Sequence, residues 1–358
     1  LKLNRLENVL DSMKKANIPQ LIISDPASIF YLTGKWIHPG ERMLALYISL
    51  DGNHKLFINE LFPVHEDLGA EKIWFSDTDD CIKLLSENIC KDKPIGIDKN
   101  WPSRFLLDLM KNNGASSYVN GSFIVDKARM IKDKEEIELM KNASRINDMA
   151  MEKIINLTLE GHSEKKMSGL LLSIYEELGA EGFSFDPIIG YGANAANPHH
   201  APGNSTPTKG DSIILDIGCI KDSYCSDMTR TVFFKSVSDK SKEVFETVLE
   251  ANKRAIEIIK PGVRFCDVDF AARNYIESKG YGKYFTHRTG HSIGIEVHDF
   301  GDVSSTNTDI LKPGMIFSVE PGIYLPGEVG VRIEDLVLVT ENGYEVLNKA
   351  NKELQVIG

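Results

Sequence analysis

The stretch Ser212-Ile213-Ile214-Leu215-Asp216-Ile217-Gly218 reads as a strand with one carboxylate inside its apolar run. After a turn around Lys221 and Asp222, Ser226-Asp227-Met228-Thr229-Arg230-Thr231 repeats the pattern. The pair predicts a hairpin across which Asp216 and Asp227 face each other. An ionised carboxylate carried into a core is costly unless it is paired or binds metal. Arg230 offers the plain structural alternative, a salt bridge.

Working outward, the same anomaly recurs. Glu320 follows Met315-Ile316-Phe317-Ser318-Val319, and Glu334 follows Val329-Gly330-Val331-Arg332-Ile333, with a turn at Pro326-Gly327 between them. His291 stands between Gly290 and Gly294, where backbone can approach a bound molecule closely. Four carboxylates and one imidazole are the donors two hard or borderline divalent cations require. His287 and His298 bracket His291, and His199 lies in the loop Asn197-Pro198-His199-His200-Ala201-Pro202, placed to overhang the site. Gly190-Tyr191-Gly192 lacks the third glycine and the strand-then-helix context of a dinucleotide site. Cys219 and Cys225 have no second spaced pair to make a zinc site and read as small core residues.

The 358-residue chain is long enough for two cores, since single cores rarely grow past roughly 250–300 residues. With 42% hydrophobic and 26% charged residues it is an ordinary globular composition, which excludes disorder. A net charge of -11 argues against nucleic acid as partner, because phosphate binding needs a basic face. No run approaches the roughly 18 apolar residues of a membrane span, and the mixed charges of the first residues do not read as a secretion leader. Five cysteines fit reduced thiols in a cytoplasm.

Residues 1–125 alternate helical and strand patterns, with a hairpin at Asp51-Gly52-Asn53, and predict a mixed α/β domain. A boundary is expected between residues 120 and 132. Residues 126–358 open on a long helix capped by Asp133 and Glu136, and a second long helix ends at Pro261-Gly262. Gly161 and Gly262, about 100 residues apart, each close a helix and precede another helical segment, a glycine pair, an aromatic and a ligand-bearing strand. This echo predicts a pseudo-symmetric domain with the metals between its halves.

Together these segments resemble the pita-bread metallopeptidases, the family of methionine aminopeptidase, aminopeptidase P and Xaa-Pro dipeptidase. The matches are Leu215 to Gly218, Ser226 to Thr231, Thr289 to Gly294, Val319 to Tyr324 and Val331 to Asp335, in the family's order. Tyr31-Leu32-Thr33-Gly34 and the first 125 residues resemble the creatinase-like N-terminal domain of its proline-specific branch. The resemblance implies an α/β fold, that domain followed by a pita-bread catalytic domain, and hydrolysis of the bond preceding proline. It implies Asp216 on one metal, Asp227 and Glu334 bridging both, and His291 with Glu320 on the other. Glu320 matches the proton acceptor, His298 the residue that steadies the carbonyl or oxyanion, and His199 the substrate-contacting histidine. His287, Arg332 and Tyr324 match residues of the proline pocket or its support.

Manganese, cobalt or iron suit this donor set better than a thiolate-type zinc site, although zinc stays possible. The substrates implied are Xaa-Pro dipeptides or short peptides, with a dipeptidase favoured over an aminopeptidase because the first domain is compact. A homodimer is also implied. A metal-free or non-enzymatic relative would be expected to lose ligands, and here every ligand position is filled.

Overall fold

A computed structural model describes residues 1–358, which divide into two compact units, Leu1–Arg129 and Met130–Gly358. The first is built on a six-stranded mixed sheet in the order Glu71–Phe75, Lys55–Asn59, Ala45–Ser49, Gln20–Ile23, Ile95–Ile97, Tyr118–Asn120. The expected hairpin pairs Ala45–Ser49 with Lys55–Asn59, and its turn carries Gly52 at φ 87°. Of the residues at helical spacing in Leu3–Lys15, namely Leu3, Leu6, Val9, Leu10 and Met13, the helix buries Leu6, Val9 and Met13 and leaves Leu3 exposed. The stretch from 120 to 132 carries helix Ser122–Met130, and the two units divide near its end. Its Asp126 and Arg129 are both buried, paired with Lys99 at 2.8 Å and Asp25 at 3.0 Å.

In the second unit, helix Lys134–Leu157 starts on a capping box formed by Asp133 and Glu136, as its sequence predicts. A 3₁₀ turn, Thr158–Glu160, carries the chain to Gly161 at φ 72°, and helix Glu164–Glu177 follows. Helices Asp239–Glu257 and Phe265–Ser278 repeat the arrangement around Gly262 at φ 93°. The first pair packs with Ile189, Ile213 and Leu215, the second with Phe317, Val331 and Val337. No helix is long and apolar enough to cross a membrane.

Each half contains a hairpin whose two strands change sheets at the same level. Ser212–Ile217 pairs with Met228–Phe234, but past Gly218 the chain joins Cys219–Lys221 and Tyr224–Cys225 in a separate sheet. A Cβ at Gly218 would lie 2.3 Å from the Ser226 carbonyl oxygen, so the crossing needs glycine there. In the other half Ile316–Val319 pairs with Asp335–Val339, and beyond it Gly322–Leu325 pairs with Val329–Arg332. Asp227, Glu320 and Glu334 occupy the breaks between these strands. A strand interior alternates its side chains between two faces, whereas a break points them into the gap where the sheets part.

Candidate metal centre and substrate cleft

The five expected ligands line one cavity of about 560 Å³, a size typical of small-ligand sites. Asp227, His291 and Glu334 are buried, and one donor atom from each lies within 4.8 Å of the others. His291 Nε2 is 3.6 Å from both Asp227 Oδ2 and Glu320 Oε1. Asp216 is directly opposite Thr229 in the strand pairing, so Asp227, two residues earlier, is its diagonal neighbour and not its facing partner.

Arg230 does not neutralise the hairpin acids. It lies in the core, where it pairs with Asp335 at 2.8 Å and donates to the carbonyls of Glu334 and Ala350. Arg332 takes the other side of the site: Nη2 donates to Asp216 Oδ2 at 2.5 Å, Nε to Thr229 Oγ1 at 3.1 Å and Nη1 to the Tyr324 hydroxyl at 2.8 Å. Thr229 in turn donates to Glu334 Oε2 at 2.8 Å. Arg332 is thus the one buried arginine set against four carboxylates, and it bonds directly only to Asp216. Burial, then Glu334, Asp216 and Glu320, push the Asp227 carboxyl well above its ordinary range, and burial with Glu320 and Asp216 does the same to Glu334. Glu320 is raised to about 7, by burial first, with Arg332 opposing and Asp216 adding. Asp216 Oδ1 and Asp227 Oδ1 are buried with no hydrogen-bond partner. Orphaned oxygens on two carboxylates that line one cavity, short of positive charge, fit a divalent cation.

Behind the acids runs a directed hydrogen-bond chain. The Arg288 carbonyl can only accept, so His287 Nδ1 carries the proton in their 2.7 Å contact. His287 Nε2 is then an acceptor, and the Tyr324 hydroxyl donates to it at 2.9 Å while accepting from Arg332. Burial and then Arg332 depress His287 to about 4, which keeps this ring neutral. Tyr324 is buried and supports the wall without lining the cavity, whereas Arg332 and His287 line it.

His298 and His199 are exposed in the cleft, and His298 packs edge-on against His291 with ring centroids 4.1 Å apart. A buried ion pair, Lys132 with Asp299 at 3.5 Å, adjoins His298 in the chain. The His199 loop is held from beneath by Glu164, which is fully buried. Its Oε1 accepts from Tyr191 N at 3.0 Å and Asn194 Nδ2 at 2.9 Å, and its Oε2 contacts Gly203 N and His200 Nε2, both at 2.8 Å. Although burial pushes the Glu164 carboxyl up, these hydrogen bonds hold it below its ordinary value.

Sequence reasoning did not find Phe185, Ile188, Val297 or Arg288, which complete the cavity wall. An apolar wall residue carries the same signal as a core residue, and Arg288 differs in no local pattern from other surface arginines. The proximity of His287 and His291 on either side of it was the one available hint.

The metallopeptidase family M24 model matches residues 138–341, and the creatinase/prolidase N-terminal domain matches residues 5–131. The chain belongs to metallopeptidase family M24, a family that uses divalent metal, and carries the N-terminal domain of its creatinase/prolidase members. An uncharacterized peptidase of Staphylococcus saprophyticus is 38% identical over 352 residues, 97% of this chain and 100% of the relative. Among solved structures, a recombinant prolidase from Thermococcus sibiricus is 34% identical with TM-score 0.91, covering 99% of this chain and 98% of that one. An Xaa-Pro dipeptidase from Bacillus anthracis is 31% identical with TM-score 0.90, covering 99% of both chains.

Proposed function

We propose that this chain is an Xaa-Pro dipeptidase that hydrolyses the bond preceding proline. The observation that carries the reading is the group of Asp227, His291 and Glu334 donors within 4.8 Å, flanked by Asp216 and Glu320 and opening on a cavity of dipeptide size. The similarity to a prolidase and an Xaa-Pro dipeptidase over nearly their whole lengths supports it.

Two cations would be held, with Asp216 on one, His291 and Glu320 on the other, and Asp227 and Glu334 shared. When bound, divalent cations supply Lewis acidity toward a peptide carbonyl and toward water. The oxygen-rich donor set favours manganese, with cobalt, iron and zinc as competitors. Glu320 takes the proton of the attacking water. His298, held edge-on to His291, donates to the carbonyl oxygen as negative charge develops there. His199 closes over the substrate from its Glu164-anchored loop. Phe185, Ile188 and Val297 offer an apolar wall against which a proline ring packs and water is excluded. Proline suits such a wall because its ring fixes φ, so less freedom is lost on binding. The free thiols are consistent with action in a reducing cytoplasm.

Rates on Ala-Pro and Ala-Pro-Ala with manganese-loaded protein test the length preference. A dipeptidase cuts Ala-Pro at least tenfold faster in kcat/KM, and the reverse order assigns the chain to the aminopeptidase branch.

A further inference from the structure

Two arginines line the cleft, and they are in opposite chemical states. Arg332 is 3% exposed, and each of its three nitrogens donates to a protein acceptor. Its planar fork is thereby fixed against Asp216 and Tyr324, and turning it toward a ligand would strand buried acceptors. Arg288 is exposed, and its guanidinium makes no hydrogen bond or ion pair with the protein.

The backbone that carries Arg288 is held on both sides. The His287 carbonyl accepts from Arg273 Nη2 at 2.9 Å. Thr289 donates from Oγ1 to Asp269 Oδ1 at 2.7 Å and from its amide to the Val303 carbonyl at 2.8 Å. Asp269, fully buried, and Arg273 form a two-pronged pair at 2.8 Å for each prong. A free guanidinium on a fixed pedestal at the edge of a cavity is preorganised for an anion, and a carboxylate is the anion its fork matches in two-pronged fashion. An ordinary surface arginine would be free as well, but it would not share a cavity with the metal-binding acids.

We propose that Arg288 receives the free α-carboxylate of the substrate's proline, and thereby sets the preference for dipeptides over longer chains. This rests on the reading of the site as a proline-specific peptidase. Arg332 holds the wall against which the substrate sits, and Arg288 reads where the peptide ends.

The test compares Ala-Pro with Ala-Pro-amide, which differ only in that carboxylate, for wild type, Arg288→Ala and Arg288→Lys, each assayed for bound metal. Arg288→Ala is expected to raise KM for Ala-Pro about 10- to 100-fold with kcat within a few-fold of wild type. On the amide the loss should be at least tenfold smaller. Arg288→Lys should recover part of the Ala-Pro affinity, since it keeps the charge and loses the fork. If Arg288→Ala loses both substrates equally, or neither, while keeping its metal, the assignment is wrong. If metal-loaded wild type cleaves neither substrate, the underlying proline-peptidase reading fails instead.

Discussion

Arg332 Nη2 and Asp216 Oδ2 are joined at 2.5 Å, while the second Asp216 oxygen is buried with no hydrogen-bond partner. Half of this carboxylate is satisfied by protein and half is left for something else. Asp227 Oδ1 is likewise buried with no hydrogen-bond partner.

Chelation should therefore abolish hydrolysis and lower the melting temperature together. A ligand present at about 100 times its dissociation constant stabilises the native state by about 2.7 kcal/mol. Asp227→Asn and Glu334→Gln should each lose metal, measured by elemental analysis, and nearly all activity. Equal melting temperatures with and without manganese would contradict the account.

His298→Ala separates a helper from a ligand. The exposed ring touches His291 edge-on and has no other partner in the centre, so its removal should leave metal content unchanged. The rate constant kcat should fall about 10²- to 10³-fold, the usual loss for one donor to a developing oxyanion. An emptied site would show that the ring holds metal.

His287 gives the pH dependence. Its pKa is about 4 in the folded chain and near 6.5 when unfolded, so between those values the unfolded chain binds more protons and stability rises with pH. That contribution, of order 1–2 kcal/mol, is complete above about pH 6.5 and lost as pH falls through about 4. His287→Asn should flatten the thermal-unfolding curve over this window. An unchanged slope would mean that the ring is not held neutral.

Arg230→Ala should destabilise the second unit by about 3–5 kcal/mol, read by urea unfolding, because it leaves Asp335 buried with only Lys352, at 2.6 Å, as a partner. The same change should reduce metal affinity, since Arg230 ties the Glu334 carbonyl to the strand of Thr229. A loss below 1 kcal/mol would rule out this bracing role.

The candidate ligands were legible because three of them, Asp216, Glu320 and Glu334, are carboxylates closing apolar runs, and Asp227 and His291 fit the same answer. Helix starts were legible from local chemistry, as at Asp133 and Glu136, where the cap is made by neighbours in sequence. Hidden instead were features made by distance. Arg230 looked like a partner for the acids beside it, yet its partner is Asp335, 105 residues on. Helix Ser122–Met130 was masked because Asp126 and Arg129 find buried partners that no local pattern announces. The exchange of strands between sheets at Gly218 and near Glu320 depends on which backbones meet, and a periodicity of two does not encode that.

The central claim is that the cleft is shaped to proline, and the most direct test is the ratio of kcat/KM for Ala-Pro over Ala-Ala on metal-loaded protein. The ratio reports relative transition-state stabilisation and not binding alone. The account expects Ala-Pro to be cut at least 100-fold more efficiently, and comparable values for the two dipeptides would contradict it.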